Sequence, residues 1–322
     1  GEGRIRDGIK CVPGRGGKMG ASGLSYRCAR CCNNRGSVGV SKRNLVIDVS
    51  LCENCHNCTL ATKDEHIGNN FPDYAAPQPE RGHDWIKIRS RVRGGDTMVD
   101  AAYVPTMCNH CANAPCVKAA AGDGSIKQRD DGIVIIDPEK ARGRKDLLQS
   151  CPYGAMSWNE ELELPQIWIF DAHLLDQGWT EPRCQQSCPT GAIKMVTETD
   201  EKMWQRAEVE KLEVIQPELG TKPRVYYRNL HRFSRNFIGG TVVAKVDGVE
   251  DCVEGSLVTL LQDDRVLSEQ RSDVFGNFKF DGLNAGDYRM LIAKELFTSH
   301  ECDASINNES LYLGALTLES LS

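Results

Sequence analysis

The sequence predicts an α+β protein in which a cysteine-rich region of short strands and loops is followed by a small all-β domain. Residues 45–49 and 132–137 are short apolar runs typical of strands, and both flank groups of cysteines. After Phe237 the closely spaced cysteines end, and short alternating segments separated by turn residues begin. These observations place a domain boundary near residue 237.

Composition and charge narrow the possible functions. The 322 residues include 45 Asp and Glu against 39 Lys and Arg, a net charge of −6. An acidic chain does not supply the basic surface that phosphate contacts require, so no nucleic-acid partner is expected. No run of about 18 apolar residues and no signal-peptide pattern is visible, so we expect a cytoplasmic protein without direct membrane insertion.

Four segments are expected along the chain. Residues 1–42 are rich in Gly and Arg and predict a flexible extension, in which a zinc site at Cys11, Cys28, Cys31 and Cys32 is the less favoured interpretation. Residues 43–198 form the cysteine-bearing domain, with 69–107 as a long ordered insertion. Residues 199–237 mix basic and aromatic side chains and are expected to be a linker or an arm that packs on a partner or on its own domain, rather than an RNA-binding stripe.

The last segment, residues 238–322, is predicted to be a sandwich or barrel, either Ig-like or transthyretin-like. Its predicted strands are 241–246, 257–261, 278–280, 288–292 and 311–318. Cys252 and Cys302 fall in this segment at isolated positions, which is typical of buried or idle thiols rather than of metal ligands.

The first dense cysteine group directly follows a predicted strand. Cys52, Cys55 and Cys58 have the C-x2-C-x2-C spacing that lets one turning loop hold three corners of an iron–sulfur cubane. In a bacterial ferredoxin run, a fourth cysteine lies four residues after the third and ligates the other cluster. That position is Thr62 here, so the fourth ligand must come from elsewhere.

A second group repeats this arrangement with a wider last interval. Cys108, Cys111 and Cys116 form the triad, and Ala120 stands at its local fourth position. Two Cys-Pro sequences, at Cys151 and Cys188, match the end of a ferredoxin run. Two triads and two remote donors provide eight thiolates. This is the number that two [4Fe-4S] clusters require, and such clusters are favoured over zinc sites. The fold expected for residues 43–198 is therefore bacterial-ferredoxin-like, with tandem [4Fe-4S] motifs and insertions.

A third site looks degenerate. Cys184 stands where the third cysteine of a run ending at Cys188 would lie, but its two companions are missing. Trp168 and Asp171 have the spacing at which a C-x2-C pair would belong.

Taken together, these residues resemble the iron–sulfur small subunits of the dimethyl sulfoxide reductase family of molybdopterin enzymes, and within it the pyrogallol–phloroglucinol transhydroxylase branch. The resemblance covers about residues 45–320, including the terminal β domain. It rests on the sequences at 81–83, 108–116, 131–134, 137–140, 151–154 and 218–227.

The resemblance implies how the ligands are shared. One cubane would be held by Cys52, Cys55, Cys58 and Cys188, and another by Cys108, Cys111, Cys116 and Cys151. A third would use the positions of Thr62, Trp168, Asp171 and Cys184. Three of these lack a thiolate, so this cluster is predicted to be absent, with Trp168 and Phe170 filling its space. The alternative is that Cys184 is simply a buried spare thiol.

The resemblance also implies the function. The chain would be an electron-transfer subunit without catalytic residues, bound to a large catalytic subunit that carries molybdenum and two molybdopterin guanine dinucleotides. That subunit would act on polyhydroxylated aromatic rings, with transhydroxylation favoured because it needs no net electron transfer. The alternatives are a purely structural subunit, or the electron-transfer subunit of a catechol dehydroxylase, a resorcinol hydroxylase or a respiratory reductase.

Two further groups are expected to play minor roles. His56, His66, His83 and His110 are interpreted as hydrogen-bond donors near cluster sulfur or as surface residues, not as ligands. Lys87, Arg89, Arg91 and Arg93 share one strand face, which is expected to be solvated more often than docked.

Overall fold

A computed structural model describes residues 39–246 and 248–321 of the protein. The predicted extension therefore lies outside the described residues as far as position 38. Within the described part, no helix is long and apolar enough to cross a bilayer. The helices are α1 (Asn57–His66), α2 (Pro115–Ala119), α3 (Ala172–Asp176), α4 (Arg183–Gln186), α5 (Asp200–Val209) and α6 (His231–Ser234), with 3-10 turns at Lys145–Ser150 and Pro217–Leu219.

From residue 39 onward, nine strands precede the all-β segment. They are β1 (Lys42–Asp48), β2 (Lys87–Gly95), β3 (Met98–Thr106), β4 (Ile126–Gln128), β5 (Val134–Ile136), β6 (Ser157–Asn159), β7 (Leu164–Gln166), β8 (Ile193–Glu198) and β9 (Val225–Arg228). Strand β1 begins at Lys42, one residue before the predicted start of the cysteine-bearing domain. The pairs β2–β3, β4–β5 and β6–β7 are two-stranded and antiparallel.

The main sheet of the cysteine-bearing part has the order β8-β1-β9. Strand β1 lies antiparallel to β8 and parallel to β9, so Leu45 is opposite Met195 on one side and Val225 on the other. Leu45, Ile47, Val225 and Tyr227 are buried in one large core that also contains Trp168 and Phe170. The sheet thus anchors the start of the first cysteine loop, which leaves β1, and the end of the last one, which enters β8.

Strand β9 corrects the expectation for residues 199–237. A linker or partner-contact arm is predicted there, but Val225–Arg228 supply a strand of the central sheet, and Val225 and Tyr227 are fully buried. Of the alternatives named for this segment, the structure has packing on its own domain. Val225, Tyr226 and Tyr227 are consecutive buried residues of this strand, and Arg228 ends it.

Residues 236–318 form eight strands in two four-stranded sheets. The strands are β10 (Asn236–Val246), β11 (Val249–Cys252), β12 (Leu257–Gln262), β13 (Arg265–Arg271), β14 (Asn277–Leu283), β15 (Gly286–Ala293), β16 (His300–Ile306) and β17 (Leu311–Leu318). In one sheet β10 pairs with β11, β14 and β17, and the other has the order β13-β12-β15-β16. Residues from both sheets share one core, which includes Ile238, Val258, Phe278, Met290 and Ile306.

The hairpin β2–β3 joins the two halves of the molecule. It corrects the expectation of a solvated basic face for Arg91 and Arg93, whereas Lys87 and Arg89 are exposed. Arg93 is 3% exposed and binds Asp281 of β14 through Nη1 to Oδ1 at 2.8 Å and Nη2 to Oδ2 at 2.9 Å. Arg91 donates to the carbonyl oxygen of Phe233 at 2.8 Å and to the side chain of Asn236 at 2.6 Å. These two arginines therefore attach the β-rich segment to the cysteine-bearing part. Their alternation along one strand face had suggested exposure to solvent, because the sequence does not show their partners.

Candidate iron–sulfur centres

The first cysteine loop runs from the end of β1 to the start of α1. Asn54 and His56 adopt left-handed backbone conformations with φ of 57° and 60°, which curl the chain between the cysteines. Cys58 is buried at the start of α1, Cys52 is half-buried and Cys55 is exposed. The amide N–H of Asn54 is directed at the Cys52 thiol and that of Thr59 at the Cys58 thiol.

Cys188 approaches this loop from a distant part of the chain. Burial raises the pKa of Cys52, and the neighbouring thiolates of Cys188 and Cys55 raise it further. Burial, with Cys52 and Cys55 nearby, also raises the pKa of Cys58 to about 11. The four cysteines that the resemblance groups into one site are therefore neighbours in space.

Cys188 itself lies in a loop that stabilises a thiolate. Burial opposes ionisation, but the Thr190 hydroxyl and the amide N–H groups of Ile193, Ala192 and Thr190 outweigh it and lower the pKa of Cys188. Gly191 has a φ of 67°, so the chain turns here into β8 in a conformation that glycine adopts without strain. Amide N–H groups directed at sulfur are one of the features that tune cluster potentials in proteins.

The second group of four is also assembled. Cys108 and Cys111 are buried, and Cys116 and Cys151 are half-buried. Burial raises the pKa of Cys108 well above its ordinary value, and the thiolates of Cys116, Cys151 and Cys111 add to this. Burial, then Cys151 and Cys111, raise the pKa of Cys116 to about 11. Each member of this group thus lies within electrostatic range of the other three.

The segment 221–224 supports the second loop from behind. The amide N–H groups of Ala112 and Asn113 donate to the carbonyl oxygens of Lys222 and Thr221, both at 2.9 Å, and Arg224 N–H donates to Asn109 C=O at 2.8 Å. The hydroxyl of Tyr153, two residues after Cys151, lies 2.5 Å from that of Thr221. Residues 218–227 were part of the resemblance, but the sequence predicted no role for them. The backbone contacts show that residues 221–224 support the second cysteine loop.

The donor set fits a cubane better than a single ion. Among residues 39–246 and 248–321, no three His, Cys, Asp or Glu side chains lie close enough to hold one metal ion. The thiolates of a cubane bind four different irons, so they lie farther apart than the ligands of one ion. Two groups of four soft thiols, with amide N–H groups directed at sulfur, have the chemistry of [4Fe-4S] ligands.

The four positions of the degenerate third site are all buried. Trp168, Asp171 and Cys184 are 0% exposed and Thr62 is 1% exposed. The Thr62 hydroxyl donates to the Cys58 carbonyl oxygen at 2.9 Å, within α1. Burial raises the pKa of Cys184 well above its ordinary value, and Asp171 and Cys58 contribute in the same direction. Asp171 and Cys184 are therefore neighbours, and both lie near the first group of cysteines.

Two aromatic rings occupy the core beside this site. Trp168 and Phe170 are stacked with 4.7 Å between ring centroids and 24° between planes. The ring of His110, from the second cysteine loop, meets Trp168 at 5.6 Å and Phe170 at 5.4 Å, with its edge towards both. We call Trp168 and Phe170 the aromatic plug. It packs against the loop of the second cysteine group through His110.

His110 has a defined protonation state. Burial, with a smaller effect from Arg224, lowers the pKa of His110 to about 3, so the ring is neutral at ordinary pH. Its Nδ1 accepts the Val134 N–H at 3.0 Å, which leaves the proton on Nε2. Nδ1 also lies 4.0 Å from the Cys108 sulfur. His110 thus lies beside the Cys108 thiol, but with its proton on Nε2 it is not a hydrogen-bond donor to that sulfur as predicted. A surface position is wrong for both His110 and the fully buried His66.

A cleft of about 260 Å³ opens beside the second group of cysteines. Met107 and Asn109, which flank Cys108, and Tyr153 and Gly154, which follow Cys151, contribute to its lining. Lys87 and Arg89 of β2 are also in this lining. Unlike Arg91 and Arg93, these two basic residues of the predicted strand face therefore border an opening.

Comparison with known proteins identifies a matching domain and several relatives. A 4Fe-4S dicluster domain matches residues 99–198, which include the second triad, Cys151, Cys184 and Cys188. The pyrogallol hydroxytransferase small subunit of Pelobacter acidigallici is 44% identical over 85% of this chain and 98% of its own length. A tetrathionate reductase subunit of Salmonella typhimurium is 30% identical over 58% of this chain and 72% of its own. The arsenate respiratory reductase iron–sulfur subunit of a Shewanella species is 28% identical over 57% of this chain and 94% of its own.

Proposed function

This chain belongs to the family of iron–sulfur small subunits that includes the pyrogallol hydroxytransferase small subunit, and we propose that it transfers electrons within a heterodimeric molybdopterin enzyme acting on polyhydroxylated aromatics. The observation that carries the proposal is the grouping of eight distant cysteines into two sets of four. A bound cubane supplies one-electron transfer and offers no site for an organic substrate. The chemistry on the aromatic ring is therefore assigned to the partner.

Each set of four would hold one [4Fe-4S] cluster. Cys52, Cys55, Cys58 and Cys188 are assigned to the first cluster, and Cys108, Cys111, Cys116 and Cys151 to the second. The chain positions the first set with loops that leave β1 and enter β8, and the second set with the loop after β3 and the one after the 3-10 turn at Lys145–Ser150. Cys108 and Cys111 are buried, which limits water around the second set. Within this scheme the cysteine-bearing part is a ferredoxin-like domain with tandem cluster motifs, and the β-rich segment is an appended sandwich domain.

The third cluster of the family pattern would be absent. Thr62, Trp168 and Asp171 offer a hydroxyl, an indole and a carboxylate, which are poor substitutes for thiolates on iron. The aromatic plug is fully buried, and its bulk would fill the space of the absent cluster. Electrons would then pass between the remaining two clusters without an intermediate redox centre.

The proposed partner is a large subunit with molybdenum bis-molybdopterin guanine dinucleotide. The relative with 44% identity is named as the small subunit of a pyrogallol hydroxytransferase, which supports a transhydroxylase over a catechol dehydroxylase or a resorcinol hydroxylase. A transhydroxylation moves oxygen between aromatic molecules without net electron flow, so it would tolerate a chain of clusters that lacks its middle member.

A purely structural role is the second candidate, and the aromatic plug is the observation that favours it. Packed aromatic side chains at the position of a redox centre stabilise the fold but do not transfer electrons. In that case the two remaining clusters would stay in one oxidation state during turnover.

The experiment is freeze-quench EPR of the purified two-subunit complex during turnover with a trihydroxybenzene substrate. Electron transfer predicts that at least one cluster signal changes amplitude in the turnover samples and returns to its resting amplitude once substrate is exhausted, because transhydroxylation involves no net electron flow. Unchanged signals from both clusters, in a complex that forms product, would favour the structural role. Dithionite reduction of the same sample is the control that both clusters are able to change state.

A further inference from the structure

A buried histidine–carboxylate pair lies at the position of the missing cluster. His66 and Asp171 are both 0% exposed, and Nε2 of His66 lies 3.2 Å from Oδ1 of Asp171. The other carboxylate oxygen of Asp171 accepts the backbone N–H of Arg183 at 2.8 Å. Buried ionisable pairs are costly to keep in a fold, so this one calls for a function beyond packing.

The contacts leave one atom of the pair open. Because Nε2 faces a carboxylate, it carries the proton and donates, and a neutral ring then has its lone pair on Nδ1. His66 Nδ1 is buried and has no hydrogen-bond partner among the described residues. An unpaired buried acceptor is unfavourable, and a proton delivered to Nδ1 would complete an imidazolium held against the Asp171 carboxylate.

The pair and the first group of cysteines are connected through α1 and through the thiol of Cys184. Helix α1 carries Cys58 near its start and His66 at its end. On the other side, the thiol of Cys184 is influenced by both Asp171 and Cys58, so Asp171 and the first group of cysteines border the same thiol. An electron added to the first cluster places extra negative charge beside this buried, poorly screened pair.

The other titratable and charged groups around the pair are mostly paired with one another. Nε2 of His173 faces Oε1 of Glu65 at 2.9 Å, and Glu65 also lies 3.5 Å from Arg183. The rings of His66 and His173 are 5.3 Å apart, and Glu65 is partly exposed, so this second pair leads from His66 towards solvent. The remaining groups on the surrounding elements are Lys63, Asp64, Tyr74, Asp84, Asp176 and Cys184.

We propose that the His66–Asp171 pair binds one proton, at His66 Nδ1, when the first cluster accepts one electron. This inference rests on the proposed function, because it requires a redox-active first cluster. The electron comes from an external one-electron donor, such as reduced viologen in a titration, and the proton comes from water. The products are the one-electron-reduced cluster and an imidazolium–carboxylate pair, and no bond to iron is made or broken.

The effect is measurable because the coupling is reciprocal. If reduction of the cluster raises the proton affinity of the pair by some factor, protonation of the pair raises the electron affinity of the cluster by the same factor. We expect reduction to raise the proton affinity of the pair about tenfold. The midpoint potential of the first cluster should then be higher at low pH than at high pH by about 59 mV, the equivalent of a tenfold change for one electron.

The experiment is an EPR-monitored redox titration of the two-subunit complex at several pH values between about 5 and 9. The second cluster in the same chain is the internal reference, and a Cys55→Ser variant assigns the first-cluster signal. We expect the first potential to shift with pH in the wild type and to lose that shift in His66→Gln and in Asp171→Asn. His300→Gln, in the β-rich segment, is the matched control and should keep the wild-type shift.

Three results would overturn the proposal. One is a first-cluster potential in the wild type that varies with pH no more than the second. Another is a shift that persists in both His66→Gln and Asp171→Asn. The third is a shift that His300→Gln also removes. Iron content is measured for every variant, and either His66→Gln or Asp171→Asn suffices if the other loses its cluster. Failure of the proposed function is distinct from these results, because it would appear as a wild-type protein with no reducible first cluster at any pH.

Discussion

The indole of Trp168 stacks on the ring of Phe170 with 4.7 Å between centroids, and neither side chain is exposed to solvent. The family pattern that the sequence resembles places a cysteine at the first of these positions. Under the proposed function, the pair replaces a metal-binding position with part of the apolar core, next to Cys184 and to Asp171, the residue that follows Phe170. Predictions about stability and about metal content follow from this exchange.

If the aromatic plug is part of the core, Trp168→Ala should be strongly destabilising. Removing a fully buried aromatic side chain costs about 3–5 kcal/mol, because the lost burial adds to the cavity left behind. Chemical denaturation of the intact complex, monitored by the loss of iron–sulfur absorbance, measures the change in the free energy of unfolding. Trp204→Ala is the matched control, since Trp204 is 50% exposed, and its effect should be within about 1 kcal/mol. Equal effects of the two substitutions would contradict a packed plug.

Two nearby cysteines should differ sharply in their importance for iron binding. Cys188→Ala removes a proposed ligand, so we expect loss of one cluster, or about four irons per chain. Cys184→Ala removes a buried thiol that is not assigned to a cluster, and iron content should be unchanged. Iron and acid-labile sulfide analysis measures both variants. Iron loss in Cys184→Ala alone would reverse the assignment of these two residues.

The attachment of the β-rich segment should depend on one buried cation. Asp281→Ala leaves Arg93 without its bidentate partner, but Arg93 keeps its contact with Asp100. The substitution should therefore cost less than about 3–5 kcal/mol, the cost of a buried charge left without any partner. Faster limited proteolysis between the two halves, together with a lower melting temperature, is the expected result. Asp264→Ala is the control because its pair with Arg289 is exposed, and such pairs contribute about 0–1 kcal/mol. Identical proteolysis of both variants and the wild type would argue against the attachment.

The same cluster of charges predicts acid sensitivity. Burial alone would raise the pKa of Asp100, but hydrogen bonds from Arg232 and Arg93 and the nearby Lys279 outweigh it, so its pKa is lowered from 3.8. The pKa of Asp281 is also lowered, because Arg93 outweighs the effect of burial. Groups with lowered pKa stabilise the fold above their ordinary pKa and lose that contribution as the pH falls.

Stability should therefore decline as the pH drops below about 4, and the decline should be smaller in Asp100→Asn, which does not titrate. Urea denaturation at a series of acidic pH values measures it, with Asp264→Asn as the exposed control. A parallel decline in Asp100→Asn and the wild type would show that other groups govern acid unfolding.

The ligand groups could be predicted from the sequence because cluster loops are local. Cys52, Cys55 and Cys58 lie on one turn, and the proline after Cys151 and Cys188 marks a remote donor. The pairing of Cys188 with the first triad came from the resemblance, and the structure brings those residues together. The bulk of Trp168 and Phe170 likewise suggested that they fill space.

Long-range polar contacts could not be predicted in this way. Arg93 meets Asp281 across 188 positions, and His66 meets Asp171 across 105, and neither leaves a periodic pattern. Strand β2 was anticipated as a basic strand face, but its pairing with β3 inside the insertion was missed. Strand β13 was missed because it is an edge strand with charged, exposed side chains. In each case the structure depends on a contact with a distant residue or strand, which the local sequence does not reveal.

The most direct test of the account is the iron and acid-labile sulfide content per chain of the anaerobically purified complex, corrected for metal in the large subunit and combined with EPR of the reduced protein. Two four-thiolate sites predict about eight irons and eight sulfides, with two interacting cluster signals. About twelve irons would mean that the aromatic plug does not replace a cluster. About four irons, or zinc in place of iron, would contradict the assignment of two cubanes to this chain.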